Sequence, residues 1–377
     1  QDVITAEGNA AVCPRVEHQP APAPDEALVR AAAARLRSAR RPLLLAGGAV
    51  IASGARAELR RLAEGIHAPV ATTRRGKGAL PEDHELALCD LSGYRGRQAL
   101  AAADCTVAVG CRFTSIDTAN WTREFPRPLL QLDPEEGEIG REYECDAGIP
   151  GDLRASLRGL AEAAGPPTCH WSGLLEEWRG RFAAQAPLPL LPEIRELLPE
   201  EGILSVDVHG IGYSVFSEYP IADPRTFIYP CIGVSLGHAF PAALGAKVAH
   251  PERPVVCFSG DGGFLMGSFE LATAVRYGIN VVAVVVNDGA LTAIKGSQQR
   301  DCEGRTIDTE LTNPDFVAFA RSFGAHAERV EDLAGFRGAL ERGLAAERPA
   351  VIEVLLRDRH QEIISWITWL RENPLRA

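Results

Sequence analysis

Short, mostly apolar runs alternate with longer amphipathic stretches along this chain. The runs Pro42–Ala46, Cys105–Val109 and Ala350–Leu355 are five or six residues long and consist largely of aliphatic side chains. Such runs are typical of strands that are buried on both faces of a parallel sheet. Between them, apolar residues recur at helical spacing. The alternation predicts the α/β class, with two doubly wound parallel sheets in two separate domains.

The predicted elements fall into two blocks. In the first block we expect helices over 26–38, 54–65 and 96–103 and strands over 42–46, 69–73, 105–109 and 128–132. In the second we expect strands over 203–207, 254–259, 279–286 and 350–355 and helices over 192–198, 264–277, 315–323 and 333–346. The chain divides into a leader (1–24), a central domain (25–165), a proline-rich linker (166–191), a second domain (192–357) and a C-terminal amphipathic helix (358–377).

The composition excludes several classes of function. The formal net charge is −11, and the only lysines are Lys77, Lys247 and Lys295, which argues against a nucleic-acid binder that works through a basic face. No apolar run approaches about 18 residues, so we expect no membrane-spanning helix. The nine cysteines are scattered and never spaced C-x-x-C, which favours a reducing, cytoplasmic location over a disulfide framework or a zinc ribbon.

Two carboxylates follow neighbouring strands of the second block. Asp261 lies in the turn Gly260-Asp-Gly-Gly263, and Asp288 follows the next predicted strand, 27 positions later. A right-handed crossover places the carboxyl ends of both strands at one edge of the sheet. Glycines at a helix N-terminus allow backbone amides to approach an anion, and paired carboxylates suit a magnesium ion that bridges to a diphosphate. The alternative is a plain strand-to-helix turn capped by Asp261, but the spacing to Asp288 argues against it.

These residues resemble the cofactor motif of thiamine-diphosphate enzymes, in which GDG is followed at this distance by NN or ND. The chain is most similar to the acetohydroxyacid synthase-like group, which includes acetolactate synthases and 2-oxo acid decarboxylases. Further stretches carry the resemblance over nearly the whole chain: 50–80, 107–133, 235–247, 313–320 and 349–354. The resemblance implies a Rossmann-like central domain followed by a thiamine-diphosphate-binding domain.

The resemblance also implies a role for each candidate site residue. Asp261, Asp288 and the carbonyl of Ala290 correspond to the magnesium ligands, although the family more often has asparagine at the position of Asp288. The residues implied to contact the cofactor are His209, Gly210, Leu236, Gly260, Asp261, Gly262, Gly263, Asp288 and Ala290. Leu236 corresponds to the apolar wedge that holds the cofactor bent, with an ordinary core leucine as the alternative. For His209 and Gly210 the alternative is a surface loop.

The implied activity is decarboxylation of a small 2-oxo acid followed by ligation of the carbanion to a carbonyl acceptor. Simple decarboxylation and a non-catalytic scaffold subunit are the alternatives. The family's activating glutamate belongs to a pyrimidine-binding domain, and Gln1-Asp-Val-Ile4 resembles the end of that domain. We therefore expect a pyrimidine-domain partner subunit in an oligomer, or a missing N-terminal part of the same chain. Some relatives bind FAD at a turn like Gly47-Gly48, and flavin binding stays open.

Overall fold

The computed structural model describes residues 20–165, 173–183, 190–231, 233–331 and 333–356, together with residues 8, 11, 13, 171, 359 and 365. Most of the predicted leader and of the predicted C-terminal helix lies outside the described residues. The described residues form two six-stranded sheets, and every strand pair in both is parallel. This confirms the predicted α/β class with two parallel sheets.

The first sheet belongs to the central domain and has the strand order β3-β2-β1-β4-β5-β6. Its strands are β1 (Pro42–Ala46), β2 (Val70–Thr72), β3 (Ala87–Asp90), β4 (Cys105–Val109), β5 (Leu129–Asp133) and β6 (Ala147–Pro150). Its helices are α1 (Glu26–Ser38), α2 (Gly48–Ala52), α3 (Arg56–Ile66), α4 (Tyr94–Ala102) and α5 (Leu153–Ala164). Buried aliphatic residues of the strands pack on helices at both faces, which is why these strands are apolar on both sides.

The second sheet has the order β11-β12-β10-β9-β7-β8. Its strands are β7 (Ile203–Val206), β8 (Phe227–Ile228), β9 (Val255–Gly260), β10 (Val282–Asn287), β11 (His326–Val330) and β12 (Ala350–Leu355). The helices along this half are α6 (Leu174–Ala183), α7 (Leu190–Leu197), α8 (Val215–Glu218), α9 (Ala239–Ala249), α10 (Asp261–Gly267), α11 (Leu271–Tyr277), α12 (Thr292–Asp301), α13 (Phe316–Ser322) and α14 (Phe336–Ala345). None of the helices in the described ranges combines the length and the hydropathy needed to cross a membrane.

Several elements differ from the sequence-based expectation. The strands β3 and β6 were not predicted; they form the two edges of the first sheet, where a strand needs a less apolar run. The helix α12 was missed because its sequence, TAIKGSQQRD, is polar around most of its circumference. The predicted helix over 264–277 is divided into α10, a 3₁₀ turn at 268–270 and α11, and α10 already begins at Asp261.

The region predicted as a linker contains α6, which packs beside α4 of the central domain. Trp171, just before it, is fully buried, and its indole Nε1 donates to the carbonyl of Pro42 at 3.0 Å. Trp178 on α6 contacts Trp171 edge to face, with ring centroids 6.1 Å apart. These contacts attach this part of the chain to the first sheet; the domain bounds themselves stay predictions.

A buried ion pair lies where the two halves of the chain meet. Lys77 Nζ and Glu82 Oε2 are 2.5 Å apart, and their side chains are 3% and 1% exposed. The amide of Ile221, in the second half, donates to Glu82 Oε2, and the amide of Glu82 donates to the carbonyl of Ile221, both at 3.0 Å. The loop after β2 is therefore hydrogen bonded directly to the domain that carries the second sheet.

Asp133 gives the stability of the central domain a pH dependence. It ends β5, is 3% exposed, and burial, with Glu138 nearby, raises its pKa from 3.8 to about 6. The folded chain therefore holds this proton at a higher pH than the unfolded chain, and stability falls as pH rises from about 4 to 6. We expect Asp133→Asn to match the wild type in urea unfolding at pH 4 and to be about 1 kcal/mol more stable at pH 7.5.

Asparagine can still accept the hydrogen bond that the amide of Glu135 donates to Asp133 Oδ1 at 3.0 Å. The comparison therefore isolates the charge. Equal unfolding free energies of wild type and variant at both pH values would contradict the assignment.

Candidate functional site

The carboxyl ends of β7, β9 and β10 surround one cavity of about 210 Å³. The register pairs Val286 of β10 with Gly260 of β9, so the residues that follow these strands emerge side by side. The lining includes every residue that the sequence analysis assigns to the site: His209, Gly210, Leu236, Gly260, Asp261, Gly262, Gly263, Asp288 and Ala290. The fold thus brings together residues spread over about 80 positions of sequence, from His209 to Ala290.

Asp261 is held rigidly at the start of α10. Its Oδ1 accepts from the amide of Gly262 at 2.8 Å, and its Oδ2 accepts from the amide of Gly289 at 2.9 Å and from Asn313 Nδ2 at 2.6 Å. Burial raises the pKa of Asp261, and these hydrogen bonds act against that rise because they stabilise the carboxylate. The carboxylate therefore keeps one orientation between the ends of β9 and β10.

Asp288 faces the same cavity from the end of β10. Its Oδ2 accepts from the hydroxyl of Thr292 at 2.6 Å, and its Oδ1 accepts from the amide of Ala290 at 3.3 Å. Both carboxylates are almost fully buried, at 2% for Asp261 and 7% for Asp288. Two fixed carboxylates at the edge of a cavity form a strongly negative site that favours a divalent cation.

Asn287, which precedes Asp288, has a supporting role. It is fully buried, and its Nδ2 donates to Glu353 Oε1 at 2.6 Å, beneath the cavity rather than into it. Its Oδ1 accepts from Asn313 Nδ2 at 2.9 Å. Asn313 thereby joins Asp261 to Asn287. Sequence reasoning assigned no role at the site to Asn313 or Glu353, and the only available signal was that Asn313 opens a stretch resembling the family.

A further buried carboxylate, Asp207, orders the cavity wall and was also missed. It follows β7, is 1% exposed, and its Oδ2 accepts from the amide of Gly237 at 3.0 Å and from the hydroxyl of Ser259 at 3.2 Å. Burial raises the pKa of Asp207, with the hydrogen bonds acting in the opposite direction. A Cβ atom on Gly263 would lie 2.8 Å from Asp207 Oδ2, so this glycine is required for packing.

His209 is an uncharged residue of the cavity wall. Its ring packs edge to face on Phe258, with centroids 4.8 Å apart, and burial lowers its pKa to about 3. The imidazole is therefore uncharged at neutral pH. Its Nε2 is buried and has no hydrogen-bond partner among the described residues. A buried polar atom in a cavity wall without a partner is an observation that points to a ligand.

Leu236 is 39% exposed at the cavity wall, which argues against the alternative of an ordinary core leucine. Lys295, one of the three lysines, pairs with Glu310 at 2.5 Å, and His238 lines a different cavity.

The comparisons with known proteins agree with this geometry. The family model described as thiamine pyrophosphate enzyme, central domain, matches residues 29–160. The model described as thiamine pyrophosphate enzyme, C-terminal TPP binding domain, matches residues 210–354 and so contains the whole cavity apart from its first residues. The chain belongs to the thiamine pyrophosphate enzymes. This confirms the family that the sequence motifs indicated; thiamine pyrophosphate and thiamine diphosphate are the same compound.

Relatives of this thiamine pyrophosphate enzyme carry several names. It is 33% identical to an acetolactate synthase large subunit of Parasynechococcus marenigrum, over 92% of this chain and 59% of the relative. It is 31% identical to a probable 2-ketoarginine decarboxylase of Pseudomonas aeruginosa, over 86% of this chain and 60% of the relative. It is 28% identical to a sulfoacetaldehyde acetyltransferase of Castellaniella defragrans, over 86% of this chain and 62% of the relative. The chain spans about three fifths of the length of these relatives.

The residues of the cavity fit the family's cofactor. Within the described ranges, no group of three or more His, Cys, Asp or Glu side chains could hold a metal by itself. Asp261, Asp288 and the carbonyl of Ala290 are hard oxygen donors of the kind that would hold a magnesium ion. The start of α10 also lines the cavity, and a helix N-terminus at this place would favour the negative charge of a diphosphate.

Proposed function

We propose that this chain carries the cofactor site of a thiamine-diphosphate- and Mg²⁺-dependent enzyme that decarboxylates a 2-oxo acid and ligates the carbanion to a carbonyl acceptor. The observation that carries the proposal is the convergence of Asp261, Asp288 and the turn 260–263 on one cavity, with Leu236 at its wall. The similarity to acetolactate synthase large subunits supports carboligation over the alternatives.

Each residue has a defined task in this proposal. Asp261, Asp288 and the carbonyl of Ala290 would hold the magnesium ion. The backbone of Gly262 and Gly263 would lie against the diphosphate, although the amide of Gly262 already donates to Asp261 Oδ1. Gly260 allows His209 to pack close to the turn, since a Cβ atom at this glycine would lie 2.8 Å from His209 Cβ. His209 and Gly210 line the cavity beside this turn, and we assign them contacts with the diphosphate.

When bound, the cofactor supplies a thiazolium carbon that adds to the 2-oxo acid and accepts the electron pair released with CO₂. Val234, Leu236 and Ile294 form an apolar wall that would exclude water from this part of the site once a further domain covers it. Leu236 would support the cofactor from below as the apolar wedge of the site. A site without water favours ligation over simple decarboxylation, because water is the competing proton source.

We propose that the pyrimidine side of the site comes from another domain. Among the described residues, no glutamate lines the cofactor cavity, and yet the family's activation of the cofactor requires one. Leu236 and Ile294 of the cavity lining are 39% and 52% exposed, and Met266 on α10 is 55% exposed, which favours an apolar contact with that domain. The domain is supplied either by a partner subunit in an oligomer or by a further part of the same protein. Mg²⁺ binding, flavin binding and a cytoplasmic location stay predictions.

The test combines native mass spectrometry of the protein from its own source with product analysis on pyruvate. We expect thiamine diphosphate and magnesium to co-purify, together with a pyrimidine domain. We also expect CO₂ release with acetolactate as the main product. Acetaldehyde as the main product would support the simple decarboxylase, and failure to bind the cofactor with the pyrimidine domain present would leave only the scaffold.

A further inference from the structure

A second cavity, of about 480 Å³, lies between the two domains and has a basic lining. We call it the interdomain cleft. Its lining residues are Ile51, Arg74, Arg75, Lys77, Pro224, Phe227, Tyr229, Pro230, Cys231, Ser235 and His238. The lining contains three cations and no carboxylate, although the chain as a whole has a formal net charge of −11. A concave site of this sign attracts anions.

Arg74 is positioned by aromatic rings and not by a carboxylate hydrogen bond to its side chain. Its guanidinium carbon lies 5.1 Å from the ring centroid of Phe216 and 5.8 Å from that of Tyr213, both in the second half of the chain. Its Nε is buried and has no hydrogen-bond partner in the part of the chain that the structure describes. Stacking thus orients the guanidinium and leaves a donor unused.

Tyr229 contributes a second unused polar group. It is 9% exposed, its ring stacks on Phe227 with an interplanar angle of 4°, and its hydroxyl has no hydrogen-bond partner within the described ranges. Burial raises the pKa of Tyr229, with Arg74 acting to lower it, so the phenol stays protonated and can donate. Two buried donors without partners in one cleft indicate a ligand that accepts hydrogen bonds.

The other two cations differ in availability. Lys77 is paired with Glu82 at 2.5 Å, so its charge is largely compensated. Arg75 is exposed at the mouth of the cleft and makes no ion pair with any residue that the structure describes. Arg74 has the buried carboxylate of Asp90 as an electrostatic neighbour but makes no ion pair with any residue that the structure describes, so Arg74 and Arg75 are the cations that can bind an anion directly.

The interdomain cleft and the cofactor cavity share a wall. Val234 and Leu236 line the cofactor cavity, whereas Ser235 and His238 line the cleft. Neighbouring Cα atoms are about 3.8 Å apart, so the cleft begins about one residue beyond Leu236. The two cavities therefore lie on either side of the segment 234–238, close enough for one extended substrate to reach both.

We propose that the interdomain cleft binds an anionic group of the substrate, a carboxylate, sulfonate or phosphate remote from the reacting carbonyl. Arg74 and Arg75 donate to its oxygens, and the hydroxyl of Tyr229 donates a further hydrogen bond. The inference rests on the proposed function, because the substrate is a 2-oxo acid or its acceptor only if the cofactor cavity is catalytic. Free inorganic phosphate offers the same chemistry and is the other source of such an anion.

The first experiment measures anion binding without turnover. Inorganic phosphate is titrated into the full chain by phosphorus NMR, once without cofactor and once with saturating thiamine diphosphate and Mg²⁺, which occupy the diphosphate site. We expect binding in both titrations, weakened about tenfold by Arg75→Gln and by Tyr229→Phe and restored in part by Arg75→Lys. Arg61→Gln is the matched control, since Arg61 is also exposed but does not line the cleft. Equal affinity in wild type and Arg75→Gln would overturn the proposal.

The second experiment distinguishes the two sources of the anion in the holoenzyme. Steady-state kinetics are measured with the dicarboxylate 2-oxoglutarate and with the monocarboxylate 2-oxobutyrate, which lacks the remote anion. We expect Arg75→Gln to raise KM for the dicarboxylate about tenfold with kcat nearly unchanged, and to leave KM for the monocarboxylate as in the wild type. Equal effects on both substrates, with phosphate binding intact, would assign the cleft to free phosphate and overturn the substrate assignment. Failure of cofactor binding would instead refute the proposed function, while the first titration still tests the cleft.

Discussion

Asp261→Asn is expected to lower the Mg²⁺-dependent affinity for thiamine diphosphate on the order of 100-fold or more. The substitution keeps the size of the side chain but only one of the hydrogen bonds from the amides of Gly262 and Gly289, because these amides donate to different oxygens and asparagine has a single acceptor oxygen. It also removes one of the two buried negative charges that attract the metal. An unfolding free energy close to that of the wild type would show that the turn is kept and that the loss of affinity reports the charge.

Calorimetry with thiamine diphosphate at several Mg²⁺ concentrations measures this loss. Asp301→Asn is the matched control, because Asp301 is an exposed carboxylate at the end of α12 and does not line the cavity. We expect the control to bind like the wild type. An Asp261→Asn variant that binds the cofactor with unchanged affinity and unchanged Mg²⁺ dependence would refute the assigned metal site.

Glu82→Ala is expected to destabilise the chain by about 3–5 kcal/mol, the largest stability effect that the structure indicates. The substitution leaves the Lys77 ammonium buried without its partner, and it removes the oxygen that accepts from the amide of Ile221 in the other domain. Burial raises the pKa of Glu82, and Lys77 acts to lower it, so the carboxylate depends on this partner for its charge. Removal of one partner of the ion pair therefore lowers the stability of the chain far more than replacement of both.

Guanidinium unfolding at pH 7 of four chains measures the effect: wild type, Glu82→Ala, Lys77→Met, and the double variant Lys77→Met/Glu82→Ala. We expect the double variant to be more stable than Glu82→Ala alone, because no uncompensated charge is left inside. Glu303→Ala, which removes an exposed carboxylate 3.9 Å from Arg305, is the control and should show no measurable change. If the double variant loses the sum of the unfolding free energies that the two single variants lose, Lys77 and Glu82 do not act as a pair.

The sequence placed its candidate site residues along one cavity, where their roles stay predictions, and it gave no indication of the interdomain cleft. Asp261 and Asp288 each follow a strand of a parallel sheet, and the crossover rule alone brings such positions to the same edge. Arg74 and Tyr229 belong to different domains, and no local pattern relates them. Their proximity follows from the way the domains dock through Glu82 and Ile221.

The elements show the same division. The strands β1, β4, β9 and β12 are central or buried and were predicted from their apolar runs, while the edge strands β3 and β6 were not. The polar helix α12 was missed because it has no apolar stripe, and yet it begins at Thr292, whose hydroxyl donates to Asp288. Local hydrophobic patterning reports burial, and elements that are stabilised by other contacts leave no such pattern.

From its amino-acid sequence alone, the chain's α/β class, its family and the residues around its cofactor cavity were accessible, because periodicity and motif spacing are local properties of the chain. The supporting network of Asp207, Asn313 and Glu353, the neutral state of His209 and the basic cleft came from tertiary packing. Burial, pKa values and pairing between domains depend on neighbours that are distant along the chain. That dependence is the physical reason why only the folded structure reveals them.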